Sequence, residues 1–302
     1  MADSRNIIDK DNIDEIDYCK VINANLPPEI QIIGWAPCPS LDYSARFDCV
    51  NRTYKYFFPR GNMNISSMNE GASYLIGGHD FRNFCKMDVG NGVTEYHRRI
   101  TAVSVEVLDK DESESNNSTI SPYDMCALTI SGKAFLWHQI RCIVAVLFRI
   151  GAGKETPDVV QQLLDVEKNP CRPQYTMASE VPLNLFNVVF DENIVWNYNK
   201  EALTLIIRQM EALWTEHSVK AAMVKAVLNE VKGCGSMNSD NFFPAFQTES
   251  LVNINFKRKD YVPLMEMQSC PTLEAKLGSS AAKRRKHVKV DKSINKLNGD
   301  PH

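Results

Sequence analysis

Two short stretches combine cations with aromatic side chains. In the first, Ala45-Arg46-Phe47 is followed by Arg52-Thr53-Tyr54-Lys55-Tyr56. Cations placed this way can meet phosphates, and an aromatic face can stack on an unpaired base for roughly 1–3 kcal/mol. An ordinary edge strand with Lys and Arg on its wet face would show the same alternation. The second stretch is Lys133-Ala134-Phe135-Leu136-Trp137-His138-Gln139-Ile140-Arg141. Residues 133–154 also carry Arg149 and Lys154 and hold no acid. Arg141 directly follows Ile140 in an otherwise apolar helical pattern. If buried, its guanidinium needs a carboxylate or phosphate partner. Otherwise it snorkels at the edge of the core. His138 reads as a satisfied structural histidine rather than a base.

Two weaker signals lie elsewhere. Lys86-Met87-Asp88-Val89-Gly90-Asn91-Gly92 suits either a tight loop near a ligand or a plain Asx turn. Lys283-Arg284-Arg285-Lys286 suits a nuclear-import signal, a nucleic-acid tail or a solvated basic end.

The elements that must position these residues are mixed. Ile30 to Trp35 reads as a strand, and Arg52 to Phe58 as a strand with one wet face. Ser67-x-x-Glu70 has the form of a capping box, opening a helix with Met68, Ala72, Leu75 and Ile76 on its apolar stripe, stopped by Gly77-Gly78. Val103, Val105 and Val107 alternate with polar residues, and Met125 to Ser131 is the next strand. Phe135 to Ile150 is the strongest helix, with Gly151 where a C-cap is expected. Thr156-Pro157 reads as N-cap and first helical residue, and Leu203 to Val231 as helix again. No strict strand–helix–strand rhythm runs through the chain, so the expected class is α+β. The expected division is an acidic lead-in over 1–20, a folded domain over 21–215, and an irregular extension with a basic tail over 216–302.

Composition removes several classes. With 302 residues, 44% hydrophobic and 24% charged, the sequence is that of a globular protein of one large or two small domains. The net charge of −3 means that an anionic partner must be met by a local patch. Nine cysteines without a Cys-x-x-Cys pair read as free thiols in a reducing compartment. The longest apolar run, Cys142 to Phe148, is far short of the roughly 20 residues of a membrane span.

Five segments together resemble the TruA family of tRNA pseudouridine synthases. They are Asn23-Ala24-Asn25-Leu26-Pro27, Ala45-Arg46-Phe47, Arg52-Thr53-Tyr54-Lys55-Tyr56, His79-Asp80-Phe81-Arg82-Asn83-Phe84 and Ala134 to Ile143, in the family's order. Cys85-Lys86-Met87-Asp88-Val89 and Glu167-Lys168-Asn169-Pro170 are most similar to the eukaryotic branch acting at uridines 38 and 39 of the anticodon stem-loop. The resemblance implies a pseudouridine-synthase-like mixed or antiparallel sheet flanked by helices. It also implies isomerisation of uridine in tRNA to its C-glycoside without cofactor or metal. Tyr54 aligns with the tyrosine that packs on the target base. Phe135, Leu136 and Arg141 fall in the motif lining the pocket floor. Arg46, Arg52, Lys55 and Lys133 are the expected RNA-binding cations.

One motif is missing. The family's nucleophilic aspartate belongs to an Arg-Thr-Asp-x-Gly-Val motif preceding the Asn-Ala-Asn-Leu-Pro segment, and residues 1–22 contain none. The expectation is an N-terminally shortened, catalytically impaired synthase. The alternative is a non-catalytic tRNA-binding or dimerisation partner. A different enzyme would have to draw a nucleophile from Asp88 or Asp42. The expected setting is nucleus and/or cytoplasm, with tRNA as partner, no membrane, and a homodimer by analogy with bacterial relatives.

Overall fold

The structure, a computed structural model, describes residues 16–27, 30–108, 121–191, 194–234 and 261–279. The basic run Lys283 to Lys286, the acidic lead-in up to residue 15 and most of the 109–121 loop lie outside them. In chain order the elements are α1 (Tyr18–Asn23), β1 (Gly34–Trp35), β2 (Asn51–Pro59), α2 (Ile65–Ser73), β3 (Gly77–Asp80), β4 (His97–Val107) and β5 (Met125–Gly132). There follow α3 (Gln139–Gly151), α4 (Val159–Leu164), β6 (Leu183–Val189), β7 (Asn197–Tyr198) and α5 (Lys200–Cys234). They divide into two compact units, one from residues 1–48 and 190–238, the other from 49–189 and 239–302.

The larger unit is built on a five-stranded sheet in the order β3-β4-β5-β2-β6, with every neighbour antiparallel. The α+β expectation therefore holds. Side chains alternate across β2, so Tyr56 and Phe58 point to one face and are fully buried. Their rings meet Phe148 of α3, at 6.0 and 4.8 Å between centroids. Each such side chain taken out of water is worth roughly 1.5–3 kcal/mol. The other face is wetter and holds the Thr53–Ser131 hydroxyl pair at 2.8 Å. β2 lies between β5 and β6, so the edge-strand reading of Arg52 to Tyr56 does not hold.

Helix ends differ from the sequence expectation. α2 starts at Ile65, and its cap is Asn64, whose side chain accepts from Ser67 N at 3.1 Å. Ser67 therefore lies inside the helix, and the capping-box reading is replaced. α3 starts at Gln139, because His138 takes a left-handed conformation (φ 59°, ψ 15°) that no helix can include. Gly151 is the last residue of α3 rather than its cap, and the left-handed glycine is Gly153, at φ 67°. Gly151 is glycine for space: a Cβ there would lie 2.7 Å from Met68 Sδ, where α2 crosses α3. α4 runs from Val159 to Leu164 with Asp158, not Thr156, at its N-cap.

Part of the expected irregular C-terminal region is ordered against this unit. Glu155 Oε1 accepts from Tyr261 Oη at 2.6 Å and from Leu264 N at 2.7 Å. Gln174 N donates to Gln268 O at 2.9 Å and Cys270 N to Arg172 O at 2.7 Å. Leu264 is fully buried, and residues 273–279 are helical.

In the smaller unit, Asn23 explains why the strand expected from Ile30 shrinks to Gly34–Trp35. Its side-chain amide donates to Ile32 O at 2.9 Å, and its Oδ1 accepts from Ile32 N at 2.7 Å. The Asn23 amide thus occupies the backbone groups that a strand neighbour would need. The 35-residue α5 buries none of its side chains. No helix among the described residues is long and apolar enough to cross a membrane.

Two outcomes are expected. A Cβ on Gly132 would sit 2.7 Å from the Arg99 carbonyl oxygen, a backbone atom that cannot swing away. G132A should cost about 1–3 kcal/mol in thermal or denaturant unfolding, whereas G78A, with nothing within 4 Å, should leave stability nearly unchanged. Burial pushes the Cys85 thiol up to about 12 and Cys126 up to about 11. At pH 8 alkylation should therefore reach the exposed Cys38 and Cys234 and spare Cys85 and Cys126 until denaturant is added.

Candidate functional site

The middle of β2 and the turn that leads from β5 into α3 bring most of the expected site residues together. Tyr54 sits opposite Ile130 of β5 and Leu185 of β6. Its ring meets Phe135 edge-on, with centroids 5.4 Å apart and planes at 86°. Phe135 can fold back this far because Gly132 has no side chain: a Cβ there would lie 3.3 Å from Phe135 Cζ. Leu136 is buried, and its N–H donates to Oε1 of the buried Gln139 at 2.8 Å. The turn is thus tied from inside the helix it precedes. His138 Nδ1 lies 3.0 Å from Met177 Sδ. Burial first, then the nearby charges of Arg141 and Lys86, keep its pKa below the ordinary value. Its contact with Met177 is of the kind expected for a structural histidine.

Arg141 is held at three points. Its Nε donates to Ala178 O at 2.7 Å, its Nη2 pairs with Glu180 Oε2 at 2.8 Å, and its own carbonyl accepts from Ala178 N at 3.1 Å. The Arg141 side chain is 17% exposed and that of Glu180 is 70% exposed. A pair with one member so wet contributes roughly 0–1 kcal/mol to stability. Tyr56 adds a buried hydroxyl with no partner among the described residues. Burial raises its pKa well above the ordinary phenol value, and Arg141 and Glu180 are the charges that act on it.

The cations separate. Arg52 Nη1 donates to the carbonyl of Lys133, so both lie at the mouth of the same turn. Lys55 projects to the opposite face of β2 from Tyr54 and lies 4.2 Å from the centroid of Phe186. Arg46 belongs to the smaller unit, 5.6 Å from the ring of Phe47. Asp88 is committed locally: Asn91 Nδ2 donates to its two carboxylate oxygens at 3.1 and 3.0 Å, and Gly92 follows at φ 83°. The loop is a short 3-10 turn over Val89–Asn91, closed by backbone bonds from Asn91 N to Asp88 O at 3.2 Å and from Gly92 N to Val89 O at 3.1 Å. Asp42 is exposed on a turn of the smaller unit. No group of three or more His, Cys, Asp or Glu that could hold a metal occurs among the described residues.

Sequence reasoning missed Ala178, Glu180 and Gln139 as positioning residues. The need of Arg141 for a partner was readable, but the partner lies 37 and 39 positions away and carries no local signal.

Residues 72–191 match the tRNA pseudouridine synthase family model. The chain is 40% identical to the tRNA pseudouridine(38/39) synthase of Bos taurus over 276 residues, 87% of this chain and 56% of the relative. The Homo sapiens protein of the same name is 40% identical over 278 residues, with the same shares covered. The Saccharomyces cerevisiae one is 42% identical over 178 residues, 59% of this chain and 37% of the relative. The chain therefore spans about half the length of the animal relatives it matches. The matched stretch contains Phe135, Leu136 and Arg141 with the segment that clamps them, and residues 72–191 carry a domain similar to the tRNA pseudouridine synthases of the TruA family.

Proposed function

We propose that this chain docks the anticodon stem-loop of tRNA and supplies the tyrosine–arginine part of a pseudouridine synthase site acting at uridines 38 and 39. The observation that carries the reading is the convergence of Tyr54, Phe135 and a clamped Arg141 at the N-terminus of α3. A uridine flipped out of its stack needs an aromatic surface, and a phenol beside it can also pass a proton. Phe135 holds the Tyr54 ring from one edge, so its orientation is fixed before the base arrives. Arg141 presents a guanidinium whose Nη2 pairs with the exposed Glu180. A buried or reacting carboxylate could replace Glu180 there with two parallel hydrogen bonds. The chain contains no Arg-Thr-Asp-x-Gly-Val motif to provide that carboxylate.

The test is tRNA binding and pseudouridine formation by the 302-residue chain on unmodified transcripts. The expected result is salt-dependent binding without turnover. Pseudouridine formation would overturn the catalytic half of the reading, and Asp88 would be the first residue to replace. Salt-independent binding would overturn the other half. R52A and K133A should each weaken binding of all tRNAs alike and flatten the plot of log K against log salt by about 0.7–0.9.

A second reading, self-association, is favoured by α5. Leu203, Ile207, Met210 and Trp214, then Val224, Leu228 and Val231, recur at alternating steps of four and three, with His217 and Ala221 between. Trp214 and Val224 are 71% and 69% exposed. Sedimentation at micromolar concentration should show a dimer that I207K/V224K dissociates. A monomeric wild-type chain would remove this reading.

A further inference from the structure

The turn before α3 sends two neighbouring side chains in opposite directions. Leu136 is 7% exposed, whereas Trp137 is 48% exposed. An indole left half in water gives up much of the free energy its burial would provide. It is nevertheless held firmly. Its carbonyl accepts from Lys86 N at 3.1 Å. The Lys86 ammonium lies 5.0 Å from the indole centroid. The imidazole of His138 packs at 4.5 Å with its plane tilted by 51°. His138 is also the only non-glycine residue with positive φ among the described residues. For a residue with a side chain that conformation is costly, and such costs gather where a binding site needs a fixed geometry.

From this arrangement we infer that Trp137 and Lys86 form a nucleotide-binding subsite, in which an unpaired base of the bound RNA stacks on the indole and its phosphate meets the Lys86 ammonium. The inference rests on the tRNA reading above and adds a contact to it. A rigid exposed aromatic beside a cation is the pairing that single-stranded nucleic acids require: the ring takes any base, and the cation takes the backbone. The position fits as well. Trp137 lies two residues beyond Phe135, which packs on Tyr54, and four before Arg141. A base on the indole would therefore adjoin the Tyr54 site and belong to a nucleotide neighbouring the target.

The test measures affinity of the 302-residue chain for an anticodon stem-loop RNA across a salt series, with single abasic substitutions in the loop. W137A should weaken binding by about 5- to 150-fold, the span of one base–aromatic stack, and leave the salt slope unchanged. W137F should restore most of the loss. K86A should flatten the salt slope by about 0.7. One abasic position should cost the wild-type chain what W137A costs, and at that position W137A should lose nothing more. The exposed Trp137 makes a folding defect in W137A easy to detect by comparing its melting curve with the wild type. The abasic scan on the wild-type chain tests the proposal independently of that variant. Unchanged affinity in W137A would assign the indole to a contact with protein and overturn the inference. A loss that no abasic position absorbs would overturn it too. If the wild-type chain binds no stem-loop RNA, the tRNA reading falls first, so the two failures are distinguishable.

Discussion

Every residue of α3 from Gln139 to Gly151 is buried except Arg141. A helix apolar on all sides must be enclosed on all sides. Here the enclosure is made by Tyr56 and Phe58 of β2, by Met68 of α2 beside Gly151, and by the segment from Met177 to Glu180. The single cation that escapes burial does so within the first turn, which is where the site lies. The location of the site follows from where the core has to stop.

Enclosing such a helix leaves polar groups to settle. Arg149, near the other end, is 3% exposed. It gives one Nη1 hydrogen to Ala145 O at 2.6 Å and lies 5.5 Å from the Tyr175 ring. Burial lowers its pKa, with Tyr261, Tyr175 and Glu155 opposing. The C-terminal segment contributes Tyr261 to that group, so its docking completes the electrostatics under α3 as well as covering apolar surface. Tyr56 keeps a buried hydroxyl without a partner among the described residues, close enough to Arg141 to feel its charge. Each end of the helix thus keeps such an atom among the described residues, Arg149 Nε at one and the Tyr56 hydroxyl near the other.

The sequence made the helices and central strands legible because their apolar periodicity reflects burial that actually occurs: Met68 and Ala72 of α2 are fully buried, whereas the expected stripe overran the helix, with Leu75 buried just beyond it and Ile76 47% exposed. Element ends were less legible. Asn64 displaced Ser67 as a cap, and the left-handed His138 cut four residues, 135–138, from the helix expected at Phe135. Asn23 removed most of a strand by bonding to Ile32. At Asn64 and Asn23 a side chain competed with the backbone pattern, and at His138 a single backbone conformation broke it, choices that periodicity does not encode. Similarly, His79-Asp80-Phe81-Arg82-Asn83-Phe84 is largely structural. Asp80 receives Arg82 at 2.6 Å, and the amide of the buried Asn83 donates to Leu163 O and Asn169 O at 2.9 and 2.7 Å.

The same competition explains how the site is held ready. Gly132 lets Phe135 approach, Gln139 ties Leu136, and Ala178 fixes Arg141, all through groups that are backbone or buried. Each of these three sets where a side chain of the candidate site stands. A misplacement of about 1 Å costs on the order of 100-fold in a preorganised site. Core residues around the first turn of α3 therefore set the geometry of the candidate site, whereas Arg52 lies at its mouth and donates to the Lys133 carbonyl. The candidate site thus has a buried floor that positions one aromatic ring and one guanidinium, Tyr54 against Phe135 and Arg141 against Ala178.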